Sequence, residues 1–188
     1  TVLPAIDPAQ AIALTEKGIR NNPDKWRLLQ YLGYIYWRLG DFDKAARVYS
    51  QGAAMPGTPP FFKMMAAKMR TDSGSRETAR AIYGQLLDDT IDQQTRENAE
   101  LRLKRLDTLD ELDAINGELN KFRERNDRCV NRLQDIINAL VTVELPNNRD
   151  LRVNSAGEIV DTVGIPYLLD RSECKAGIDP KRSRLPIN

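Results

Sequence analysis

The side chains with the most chemistry to offer are two thiols, Cys129 and Cys174, and two runs of carboxylates, Asp88-Asp89 and Asp110-Glu111-Leu112-Asp113. Histidine is absent from the 188 residues. The commonest general base, the commonest metal ligand and the physiological pH switch are therefore missing together. Acid–base work would fall to carboxylates, Lys, Tyr or Cys, and a zinc site is hard to build from two cysteines alone. Neither carboxylate run has the spacing and central glycine of a calcium loop. Both sit in helical stretches rich in Lys and Arg, so they are expected to be solvated charged faces. Ser155-Ala156-Gly157 is a turn, with no glycine-rich run leading into a helix that would cradle a phosphate. Without histidine there is no Ser–His or Cys–His nucleophile pair. A non-enzymatic protein with no cofactor and no metal is expected.

The thiols leave two readings open. In a reducing compartment they are unrelated buried residues. In an oxidising one they form a disulfide across a 45-residue separation, worth about 3–4 kcal/mol by loop entropy. A pairing, together with a start at Thr1 instead of methionine, points to a periplasmic or secreted protein; unpaired cysteines point to the cytoplasm. Charge narrows the partners. Lys and Arg number 28 against 27 Asp and Glu, so no global field favours nucleic acid or an anionic membrane. No run of about 18 apolar residues offers a transmembrane segment.

The elements that must position these groups announce themselves by period. Ala11, Ala45 and Ala79 stand 34 residues apart, and Gly40 with Gly74, Tyr49 with Tyr83 and Gly18 with Gly52 keep the same interval. Self-similarity at this spacing marks stacked supersecondary units, none of which buries its apolar face alone. The clearest unit starts at Trp26, after Asn22-Pro23-Asp24. Leu28, Leu29, Leu32, Ile35, Tyr36 and Leu39 recur at helical spacing. Gly33 inside that helix costs about 1 kcal/mol relative to alanine and makes sense only if another helix approaches closely. Gly40-Asp41 stops one helix and starts the next, predicted over about Phe42–Ala54 and ended by Pro56-Gly57.

Leu29, Leu32-Gly33, Tyr36, Leu39-Gly40, Ala45, Tyr49 and Pro56 resemble the tetratricopeptide repeat pattern. Gly52 stands where that family usually has alanine, and Pro56 falls one residue early. The next copy, about residues 60–92, keeps Gly74, Ala79 and Tyr83, with Ala66-Ala67 in place of Leu32-Gly33 and Arg70 in place of Tyr36. Before Trp26 only a second helix is present, with Thr15 in the tyrosine column. The resemblance spans residues 8–92. It implies a right-handed stack of helical hairpins whose first helices line a concave groove for ligands. The residues it places on that groove are Arg27, Gln30, Tyr34, Trp37 and Arg38, then Phe61, Met64, Lys68 and Asp72. Aromatic rings beside arginines suit peptide recognition. Packing of Tyr34 and Trp37 within the chain is the competing reading. Phe61-Phe62 with Met64-Met65 and Met69 reads as core, or as an adaptable partner surface.

Beyond the repeats, helices are predicted over about 91–106 and again from Thr108, where Thr108-Leu-Asp-Glu111 matches a capping box. The stripe Leu109, Leu112, Ile115, Leu119 and Phe122 suits packing on a neighbouring helix or a short coiled coil. Asn131 and Gln134 signal a further helix over Leu133–Val141. Leu151–Val153 and Glu158–Val160 flank a hairpin turn, and Gly164–Leu169 adds an extended segment that Pro166 confines to an edge. From Arg171 the tail is extended, either disordered or draped on the protein. Because the first hairpin is only half present, the apolar segment Thr1–Ile6 is expected to cover that end or to dock on another subunit.

The expected fold is thus mainly α: a short tetratricopeptide-like stack (1–106), supporting helices (107–145) and a small β-containing C-terminal appendage (146–188). The expected role is a non-catalytic interaction or scaffold subunit that binds another protein or a peptide, within a hetero-assembly or filament. The alternative is a small-ligand-binding protein or enzyme with its site between the repeats and the appendage.

Overall fold

Asp7 opens the first helix: its carboxylate accepts the Ala9 amide at 3.1 Å, and Pro8 supplies a first residue that needs no amide partner. The computed structural model describes residues 7–89 and 92–186, so the expectation placed on Thr1–Ile6 lies outside the described residues. Residues 1–100 form one compact unit and residues 101–188 another. The first holds α1 (Pro8–Asn21), α2 (Trp26–Arg38), α3 (Phe42–Ala53), α4 (Phe61–Asp72) and α5 (Arg76–Asp89), and it ends within α6 (Gln93–Asn126). Helices consecutive in sequence pack as neighbours: α1 on α2, α2 on α3, α3 on α4, α4 on α5.

The 34-residue period recurs in the backbone hydrogen bonds. Gly40 (φ 74°) and Gly74 (φ 84°) both take the left-handed conformation that closes a helix. Asp41 N donates to Tyr36 O at 3.0 Å, and Ser75 N donates to Arg70 O at 2.8 Å. Restart is equivalent too: Ala45 N donates to Asp41 O and Ala79 N to Ser75 O, each at 3.0 Å. Asp41 also caps α3 through its side chain, which accepts Lys44 N at 3.0 Å. Ala45, Ala79, Tyr49 and Tyr83 are all buried.

Small residues sit where helices meet. A Cβ on Gly33 would lie 2.8 Å from the Tyr49 ring, and one on Gly52 only 2.2 Å from Phe62. Position 52 therefore excludes alanine here because Phe62 fills the space. Leu29, Leu32, Ala46, Phe62, Ala66 and Met69 join Tyr49 in one core. Phe61 is exposed, so the Phe-Met run divides between core and surface.

The break predicted between 106 and 108 does not exist. Asp92 caps α6 by accepting Thr95 N at 2.8 Å, and the helix then continues through 34 residues to Asn126. Thr108 and Glu111 do not cap anything. Thr108 Oγ1 lies 3.0 Å from Thr162 Oγ1, and Glu111 is bonded to residues far along the chain, so both side chains leave the helix backbone intact.

In the second unit, Ile115 and Leu119 of α6 share a core with Val130, Leu133, Ile136, Leu140, Ile159, Tyr167, Cys174 and Ala176. Residues expected as supporting helices and as appendage thus enclose the same apolar interior, and Leu112, Ile115, Leu119 and Phe122 of the predicted stripe pack on short turns and strands instead of on a long helix. The helix predicted over Leu133–Val141 is a 3-10 turn, Leu133–Ile136, followed by one α turn, α7 (Ile137–Leu140). Its start is fixed by Asp135, which accepts Asn131 N and Arg132 N, and not by Gln134. Strands β1 (Arg152–Val153) and β2 (Ile159–Val160) form an antiparallel hairpin; β3 (Leu168–Asp170) and β4 (Lys175–Gly177) form another. Pro166 bridges the edge of β2 at Val160. The tail is draped, with Leu185 buried and Ser183 Oγ donating to Asp161 at 2.7 Å.

Cys129, just after α6, and Cys174, ahead of β4, are joined as a disulfide with Cα atoms 5.5 Å apart. The chain is mainly α with a small β-containing C-terminal part, and no described helix is long and apolar enough to cross a membrane.

Candidate functional site

The residues assigned to a groove face separate by depth along α2 and α4. Trp37 packs partly against the core of the first unit, with its ring centroid 5.5 Å from that of Tyr34. Gln30 and Met64 are half-buried. Lys68 is engaged with Asp72 at 2.6 Å. Arg27 lies over its neighbour Trp26, 4.6 Å from the ring centroid. Trp26 is fixed in turn by Phe62, edge-on at 5.7 Å. Phe61 is 40% exposed yet held edge-on by Tyr49 and Phe62.

What remains open is a stripe on α2. Tyr34 is 49% exposed, and Tyr31, which the repeat columns did not single out, is 60% exposed. Arg27, Tyr31, Tyr34 and Arg38 follow one another at three- and four-residue steps, hence on one side of the helix. Helical period alone would have found Tyr31. The repeat column obscured it, because the matching residue on α4, Met65, packs against the core. Arg38 has no carboxylate within ion-pairing distance among the described residues, and the Tyr31 and Tyr34 hydroxyls have no hydrogen-bond partner there. The stripe stands on a rigid base. Tyr49, on the adjoining α3, is buried, and burial with a smaller contribution from the nearby Tyr34 pushes its phenol up to about 12.

The carboxylates behave differently from expectation. Asp88, Asp89 and Asp113 are exposed, but Glu111 is fully buried and Asp110 is partly so. Arg149 Nη1 and Arg152 Nη2 donate to Glu111 Oε1 at 3.1 and 3.0 Å, and the Tyr167 hydroxyl donates to Oε2 at 2.6 Å. Arg149 also reaches Asp110 at 3.3 Å. Burial first, then the bond to Glu111, pushes the Tyr167 phenol far above its ordinary value. Both carboxylate oxygens are engaged within the second unit, so the cluster fastens β1 and the Tyr167 segment to α6. Asp161 does similar work: its carboxylate accepts Val163 N, Ile165 N and Ser183 Oγ.

A cleft of about 530 Å³ in the second unit is bordered by Asn131, Arg132, Glu158 and Tyr167. Three of its polar side chains are engaged, Asn131 accepting from Arg171, Glu158 accepting from Asn154 and Arg132 pairing with Asp135, while Gln134 also lines it. Among the described residues, no three Cys, Asp or Glu side chains converge to hold a metal. No protein-family model matches the chain, and no curated protein matches it in sequence.

Proposed function

We propose that this chain is a non-catalytic interaction subunit whose first unit is a short tetratricopeptide-like stack, and that the Arg27–Tyr31–Tyr34–Arg38 side of α2 receives a segment of another protein. The observation that carries the reading is the pair of exposed tyrosines on a helix whose other side is bound into the core. Rings supply contact area at low entropic cost, and arginines without carboxylate partners supply charge-assisted hydrogen bonds. Phe61 extends the apolar surface onto α4. The disulfide, which persists in oxidising compartments, supports a periplasmic or secreted location, as one member of a hetero-assembly or filament.

Affinity capture on the full chain, followed by mass measurement of the intact complex, tests this reading. A stoichiometric protein partner is expected for the native chain, with its binding reduced about a thousandfold in Tyr31→Ala/Tyr34→Ala/Arg38→Ala, the loss of two hot-spot contacts. A partner retained undiminished by that triple variant, with the native helical content preserved, overturns the assignment of the face.

A further inference from the structure

Helix α2 presents a second side, half a turn away from Tyr31 and Tyr34, on which Leu29, Leu32 and Tyr36 fall. That side floors a cleft of about 370 Å³ bordered by α1 and α3, with Ile19 and Val48 completing the apolar surface. Its volume lies in the range of ligand clefts, roughly 300–1,000 Å³. The rim carries Arg20, Lys44 and Arg47 against the single carboxylate of Glu16. Lys44 is occupied, 2.6 Å from Asp41 and over the Tyr36 ring at 5.4 Å.

Among the described residues, Arg20 and Arg47 form no ion pair, although Arg47, after Lys44, helps to hold the nearby Asp41 carboxyl below its usual range. Each follows an acidic residue by four positions, Glu16 and Asp43, where an intrahelical pair would be favoured. Asp43 pairs instead with Arg70 at 3.0 Å. Neither Arg20 nor Arg47 has a carboxylate within ion-pairing distance among the described residues. An apolar floor thus lies between two arginines contributed by different helices.

We infer that this cleft docks an acidic peptide segment of a partner protein, with one or two apolar side chains against the half-buried Ile19 and Tyr36, above the core residues Leu29, Leu32 and Val48, and flanking carboxylates on Arg20 and Arg47. Charge selects the occupant. A carboxylate accepts the planar guanidinium fork bidentately, whereas a basic segment meets like charge and an uncharged one strips water from the arginines without compensation. The cleft and the tyrosine stripe are separate surfaces, so this inference stands or falls apart from the proposed function.

Panning a phage-displayed library of random short peptides against the full chain tests it, in parallel with Arg20→Glu/Arg47→Glu and with Tyr34→Ala. The expected result is enrichment, on the native chain and on Tyr34→Ala, of peptides in which Asp or Glu flank apolar residues. A synthetic peptide of the enriched sequence should lose about tenfold or more in affinity on the double variant, weaken as salt is raised, and shift the methyl resonances of Ile19, Leu29 and Val48. Both substituted arginines are exposed, and unchanged circular dichroism controls for folding. No enrichment over the double variant, enrichment of basic or uncharged peptides, or loss of binding in Tyr34→Ala overturns the inference. So does a native chain that self-associates through the cleft while the double variant stays monomeric, because a second copy is then the occupant.

Discussion

The two units bury different chemistry. The core of the first is apolar and aromatic, closed by Ala45, Ala46, Ala66 and Ala79 and by glycines at helix contacts. Among the described residues, the buried polar and charged ones, Thr108, Glu111, Glu118 and Asp161, lie in the second unit, as does the disulfide. In the first, neighbouring helices supply each other's contacts at a fixed interval, so stability accrues hairpin by hairpin. In the second, short strands and turns hold too little apolar surface to order themselves. Ion pairs and a covalent link, spanning tens of residues, supply the constraint. The first unit leaves the Tyr31–Tyr34 side of α2 exposed, whereas the buried carboxylates of the second, Glu111 and Asp161, bond within their own unit.

Removing the centre of the polar cluster is the strongest way to break this comparison. Glu111→Ala strands the buried Tyr167 hydroxyl, empties a buried site and takes one partner from Arg149, which keeps Asp110, and from the half-exposed Arg152, and should cost about 3–5 kcal/mol. Both tryptophans, Trp26 and Trp37, belong to the first unit, so their fluorescence reports it, while amide exchange at β1–β4 reports the second. The expected outcome is lost protection in the strands with a much smaller shift in the fluorescence transition. Equal losses by both probes would show that the polar cluster supports the whole chain. Glu111→Gln keeps an acceptor for Tyr167 and should lose less.

Next in size is the disulfide. Cys129→Ser/Cys174→Ser reopens a loop across a 45-residue separation and should destabilise the second unit by about 3–4 kcal/mol, read as a lower urea midpoint in the same exchange experiment. An unchanged midpoint would mean that the Glu111 cluster and the apolar core suffice.

In the first unit the sensitive positions are glycines. Gly52→Ala drives a Cβ to 2.2 Å from the Phe62 ring. Overpacking costs about 1–3 kcal/mol, against about 1 kcal/mol of helix propensity gained. A ring wedged among Trp26, Tyr49 and Phe61 has little room to yield, so a net loss is expected in the tryptophan-monitored transition. A neutral or stabilising result would show that the α3–α4 contact gives more than this packing implies.

How far each unit was legible follows from the range of its contacts. The period of Ala45 and Ala79, the Gly40 and Gly74 stops and the Asp41 start are local signals, and the structure places each where the sequence indicated. The long-range contacts carried no such signal. Thr108 and Glu111 fit a helix-start pattern, yet their partners Thr162, Arg149, Arg152 and Tyr167 lie too far along the chain for spacing to reveal. A carboxylate four residues from a cation reads the same whether it is solvated or enclosed. The candidate site shows the same division: helical period explains Tyr34 and would have found Tyr31, whereas the engagement of Lys68 by Asp72 and the core packing of Trp37 depend on side-chain packing that the repeat columns do not encode.

The smallest effects separate glycines that sequence treats alike. Gly84 on α5 and Gly117 on α6 are interior helical glycines, as Gly33 and Gly52 are, but a Cβ at either meets nothing within 4 Å. Neither backbone is left-handed, so alanine fits without strain and narrows the unfolded ensemble. Gly84→Ala and Gly117→Ala should each stabilise by up to about 1 kcal/mol, the first in the fluorescence transition and the second in strand and α6 exchange. Opposite signs for Gly84→Ala and Gly52→Ala, on one hairpin stack and by one probe, would establish that close helix approach, and not glycine content, sets the cost. A loss at Gly117 would instead mean that the middle of α6 is packed against something, and that the second unit, like the first, has a helix contact that requires glycine.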